Sequence, residues 1–170
     1  MNDVGYRPFA PALPPAPARA LPWLTVIGGS LVTILPFVAP APMLPPCGLL
    51  MLLAWRLRSR FAMRPWAAAP LGFVDDLVSG QPLGSGVLLW SLCFLAVDLL
   101  EQRLILRDFW QEWLLASGAV AFCLVAGRLL ATPIGAQVDG ALLAQIVASA
   151  MLLPPVTRLV AWIDARRNAA

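Results

Sequence analysis

From Leu21 almost to the C-terminus the chain is a succession of apolar runs separated by proline, glycine or arginine. Its residues are 60% hydrophobic and 12% charged, against roughly 45–50% and about 25% in soluble domains. A backbone in lipid must satisfy its own hydrogen bonds, so an all-α bundle embedded in a membrane is expected. One domain accounts for the whole length. The organisation read from the sequence is a proline-rich tail over 1–20, a transmembrane helical bundle over 21–163 and a short tail over 164–170.

Pro8, Pro11, Pro14, Pro15 and Pro17 predict an extended, disordered N-terminal tail. The first apolar stretch is Leu21–Ala39, with the span running to Pro36 or Val38; Ala39-Pro40-Ala41 imitates a signal-peptide cleavage site, but proline at 40 and 42 argues for an uncleaved helix. Pro40, Pro42, Pro45 and Pro46 then turn the chain into a second span over Cys47–Trp55. The third segment, Trp66–Ser79, is shorter than the ~20 residues a span needs. The fourth runs from Ser85 to Asp98 or Leu100, the fifth over Trp113–Ala131, and the sixth over Ala141–Trp162 with a kink at Pro154-Pro155.

Six spans give a consistent sidedness. Connections 39–46, 79–86 and 132–140 contain no arginine, whereas Arg7, Arg19, Arg56, Arg58, Arg60, Arg64, Arg103, Arg107, Arg166 and Arg167 fall on the other side. Positive charge stays inside, so both termini are expected to be cytoplasmic. Trp23, Trp55, Trp66, Trp110, Trp113 and Trp162 fall at the same edge, as an aromatic belt does. The stretch Glu101–Glu112 mixes charges with Leu104, Ile105, Phe109 and Trp110 and reads as interfacial, in contact with lipid or a partner.

The chain has no histidine and no lysine. That removes imidazole acid–base chemistry, histidine metal ligation, Schiff bases and the lysine of phosphate-binding loops, so neither an enzyme nor a cofactor protein is expected. Cys47, Cys93 and Cys123 make no C-x-x-C pair and read as packing residues, not as metal ligands. The net charge of +3 lies at span ends and forms no nucleic-acid face. Gly28-Gly29-Ser30, Ser117-Gly118-Ala119, Gly127 and Ala148-Ser149-Ala150 are small enough to let helices approach closely.

The polar residues a bilayer tolerates least are Asp75, Asp76 and Arg128. An ionised Asp at a helix centre costs about 2.5–3.5 kcal/mol on insertion scales, so neither carboxylate should face lipid. Adjacent helical positions diverge by about 100°, so the two should serve different neighbours. By the assigned directions all three share a depth near the outer leaflet, which predicts an ion pair; the alternative has Arg128 snorkelling to headgroups. Asp98, near a span end, needs no special role on this reading.

The segment Pro70–Gly84 resembles the MreD family of rod shape-determining proteins: Asp76 matches the family aspartate, and Gly72, Leu77, Ser79, Gly80, Pro82, Leu83 and Gly84 fill the other motif positions. Asp75 and the proline-rich tail depart from the pattern. The resemblance implies a non-catalytic scaffold in the bacterial inner membrane, part of the cell-wall elongation complex with MreC, MreB, RodA and a class B penicillin-binding protein. Two other readings stand beside it. A substrate-binding subunit of a vitamin transporter, the S-component type, would line a pocket with Asp76 and Arg128; an intramembrane aspartyl peptidase would need carboxylates from two segments, which Asp75 and Asp76 do not supply.

Overall fold

A computed structural model describes residues 16–32, 45–58, 63–80, 82–103, 108–131 and 139–169. Among them there is no strand. The chain forms α1 (Ala16–Leu31), α2 (Cys47–Arg58), α3 (Ala68–Ser79) entered through a 3-10 turn at Pro65–Ala67, α4 (Ser85–Arg103), α5 (Phe109–Ala131) and α6 (Asp139–Ala169). The N-terminal tail before residue 16, the end of the first span with Pro36, Pro40 and Pro42, Arg60, the centre of the interfacial stretch at 104–107 and the connection 132–138 lie outside the described residues.

Three of the six helices, α4, α5 and α6, are long and apolar enough to cross a membrane. The second and third helices have 12 residues each, about 18 Å at 1.5 Å per residue against a hydrocarbon core of about 30 Å. α2 is tolerated at that length because it touches protein on nearly all sides: Leu49, Leu50, Leu52, Leu53, Ala54 and Trp55 are fully buried. The helices close a ring in the order α1, α3, α4, α5, α6, α2, each packed on the next and α2 back on α1. Outward-facing leucines such as Leu88, Leu92, Leu95 and Leu99 on α4 and Leu114 and Leu129 on α5 cover the lipid side.

Two boundaries differ from the sequence reading. The first helix starts at Ala16, inside the segment 1–20 read as a tail, because Pro17 falls in its first turn, where a missing N–H costs nothing. The second proline, Pro22, lies within the helix; its carbonyl accepts from the Thr25 hydroxyl at 2.9 Å. At the other end α6 continues to Ala169, so the segment 164–170 read as a tail is helical through residue 169, held by buried Asp164. Asp164 bonds Arg167 at 2.9 Å and faces Arg58 of α2 at 3.8 Å. Pro154 and Pro155 sit inside α6 without ending it, and the Pro154 carbonyl accepts from Thr157.

Indole donors tie the ring together. Trp55 of α2 donates to Thr25 Oγ1 of α1 at 2.8 Å, and Trp113 of α5 donates to the Ala150 carbonyl of α6 at 3.0 Å. A Thr25→Val substitution keeps the shape and strands a buried indole N–H. It is expected to cost about 1–3 kcal/mol, read as a lower unfolding midpoint in detergent; an unchanged midpoint would show that the indole finds another acceptor.

Candidate functional site: the α3–α4 hairpin

The end of α3 and the start of α4 are organised by one side chain. Gly80 terminates α3 in the left-handed region at φ 68°, and its N–H donates to the Asp76 carbonyl at 3.2 Å. α4 then begins after Gly84, whose carbonyl accepts the first helical bond from Leu88 at 3.0 Å. Gly84 therefore occupies the N-cap position, where Ser, Thr, Asp or Asn would normally offer a side-chain oxygen to the free N–H groups of the first turn. Having no side chain, and sitting at φ 97°, it cannot.

Asp76 supplies the missing oxygens from the other helix. Its Oδ2 accepts from Gly84 N at 2.9 Å and its Oδ1 from Gly86 N at 2.7 Å. The Ser85 hydroxyl lies 3.3 Å from Oδ1 and 2.8 Å from the Pro82 carbonyl, which also accepts Ser85 N–H at 3.0 Å. At 2% exposure the carboxyl group is sealed against the positive end of the α4 dipole. The backbone of Asp76 thus ends one helix while its side chain starts the next.

Two glycines let this happen. A Cβ on Gly72 would come within 2.6 Å of the Gly86 carbonyl oxygen and 2.9 Å of Val87 N; one on Gly86 would meet the Gly72 carbonyl oxygen at 2.8 Å as well as the Asp76 carboxylate. These are backbone atoms that cannot swing aside. Gly72→Ala is expected to force the helices apart at a cost of about 1–3 kcal/mol, whereas Gly118→Ala, with nothing within 4 Å of the new methyl, should be neutral. Equal midpoints for the two variants would contradict a crossing set by Gly72.

The adjacent carboxylate serves another neighbour. Asp75 is half-buried and receives a hydrogen bond from the Ser30 hydroxyl of α1, the divergence expected of consecutive helical positions. Arg128 lies half-buried on α5, while backbone and hydroxyl donors engage both carboxylates. The motif therefore divides. Gly72, Asp76, Gly80, Pro82 and Gly84 build the turn, while Leu77, Ser79 and Leu83 are exposed around it.

A second polar cluster, unforeseen as such, lies at the arginine-rich end, since α4 separates Ser85 from Asp98 by most of its 19 residues. Arg56 is 3% exposed and bridges Asp98 and Glu101 of α4, the latter at 3.2 Å, with its guanidinium 5.5 Å from the Phe94 ring centroid. Asp98, read as needing no role, is a partner of a buried cation. The signal available was the i, i+3 spacing of Asp98 and Glu101, one helix face with two carboxylates. Beside this cluster, a cleft of about 300 Å³ is lined by Ala54, Leu57, Arg58, Glu112 and Thr157, far along the bundle from Asp76.

These features define a small helical membrane protein in which a buried carboxylate caps a helix across a hairpin. The chain belongs to the MreD family, rod shape-determining protein MreD, whose family model matches residues 19–163. The family is one of membrane proteins and assigns the chain to rod-shape determination. No curated protein and no solved structure matches the chain.

Proposed function

We propose that this chain is a non-catalytic scaffold of the bacterial inner membrane that assembles the cell-wall elongation complex, contacting MreC and, through it or directly, MreB, RodA and a class B penicillin-binding protein. The observation that carries this reading is the use made of Asp76. Its two oxygens are taken up by Gly84, Ser85 and Gly86, which fixes a hairpin instead of offering an acid, a base or a ligand to a substrate. Around that rigid turn, Phe73, Leu77, Leu83 and Leu88 face outward and supply an apolar surface suited to a partner's membrane helix.

The chain crosses the membrane six times with both termini in the cytoplasm. Support comes from the clustering of Arg56, Arg58, Arg166 and Arg167 at the ends of α2 and α6 and from the tilted contact of Trp66 with Trp23, ring centroids 5.6 Å apart. Short α2 and α3 cross by sharing the thickness of the bundle with their neighbours.

A mild-detergent pull-down of the tagged chain from its native host, with proteins and small molecules identified by mass spectrometry, tests the reading. Recovery of MreC and wall synthases is expected. Recovery of a paired ATPase module, or of a bound vitamin, would replace the scaffold with a transporter subunit.

A further inference from the structure

Two cysteines separated by 30 positions in sequence meet between α4 and α5. Cys93 and Cys123 are both buried and both free, with their sulfurs 2.9 Å apart. Each thiol also reaches a carbonyl of the opposite helix: Cys93 Sγ lies 3.2 Å from the Ala119 oxygen and Cys123 Sγ 3.6 Å from that of Leu89. The side chains therefore already point at one another, and a disulfide at about 2.0 Å needs only a small closing movement. Cys47, which opens α2 and is bonded to the Pro45 carbonyl just before it, takes no part.

The surroundings select the oxidant. Leu89, Trp90, Phe94, Val97, Ala116 and Val120 form a dry core on this part of α4 and α5, which keeps out charged, water-borne oxidants. On the outer surface Leu92 and Phe122, each adjacent in sequence to one of the cysteines, are about half exposed.

We propose that Cys93 and Cys123 form a redox-active dithiol that a lipid-soluble quinone converts to a disulfide stapling α4 to α5. Two S–H bonds break and one S–S bond forms. The two electrons and two protons pass to the quinone, which leaves as the hydroquinone. The staple fixes the α3–α4 hairpin to the α5–α6 half of the ring, and reduction releases it.

The test uses the full chain in lipid nanodiscs, exposed to a short-chain ubiquinone or to the charged, membrane-impermeant oxidant ferricyanide, then denatured for thiol counting with a maleimide and for peptide mapping. The chain holds three cysteines. With quinone, reactive thiols are expected to fall from three to one, with Cys47 the one retained, a mass lower by two hydrogens, a linked Cys93–Cys123 peptide and a higher unfolding midpoint. The Cys47→Ser variant should fall from two to none. Three thiols after quinone treatment, a linkage through Cys47 or between copies, or oxidation by ferricyanide alone would each overturn the proposal.

Discussion

Asp76→Leu is expected to leave membrane insertion intact and to unfasten the α3–α4 hairpin. The substitution removes the acceptor for Gly84 N–H, Gly86 N–H and part of the Ser85 hydroxyl bond, all against a side chain that is almost wholly buried. A buried donor left without its acceptor costs about 1–3 kcal/mol, so the set comes to about 3–6 kcal/mol. The leucine also takes an acid from the N-terminus of α4, where negative charge is favoured. Asp76→Asn keeps one acceptor oxygen and should fall between the two. Asp75→Leu breaks a single bond to Ser30 and should cost about 1 kcal/mol. The measurement is the unfolding midpoint of the purified variants beside the recovery of MreC; a greater loss in Asp75→Leu than in Asp76→Leu would reverse the assignment.

Arg56→Met is expected to be as damaging from the opposite end of the bundle. It withdraws the guanidinium from Asp98 and Glu101 in a site where Arg56 is 3% exposed. Breaking a buried ion pair by removing one partner costs about 3–5 kcal/mol, because charge is left in a medium that solvates it poorly. Arg58 supplies the comparison. Its side chain is 54% exposed and its carboxylate partner Asp164 lies at 3.8 Å, so Arg58→Met should cost no more than about 1 kcal/mol. Adding Asp98→Asn and Glu101→Gln to Arg56→Met should restore part of the loss, which is visible as membrane abundance. Equal abundance of the two single variants would refute a structural role for the buried cluster.

The helices were legible because proline, glycine and arginine punctuate runs of leucine, valine and alanine; the starts of α2 and α4 and the end of α3 follow directly from Pro46, Gly84 and Gly80. Asp76 was legible as an expensive residue, and its position before Ser79-Gly80 and Pro82-Leu83-Gly84 located the turn. Its actual bonding was not, since an N-cap normally precedes its helix immediately, and here the capping oxygen comes from a preceding helix over a left-handed glycine. Side-chain partners were hidden for a related reason: depth along a helix can be estimated by counting residues, whereas the direction in which a side chain leaves the helix depends on packing. Neighbours across the ring were equally hidden. Arg56 looked like one of four cytoplasmic anchors, yet α2 lies so far inside the bundle that Arg56 and Leu57 in its last turn are buried, and Cys93 and Cys123 met only once α4 and α5 were placed side by side.

Amide hydrogen exchange across residues 80–90, compared between the native chain and Asp76→Leu in lipid nanodiscs, tests the central claim most directly. The account predicts that the Gly84 and Gly86 amides are protected in the native chain and exchange much faster in the variant, while amides in the middle of α5 are unchanged. Equal, slow exchange in both proteins would mean that the carboxylate does not hold the hairpin, and the scaffold built on it would lose its foundation.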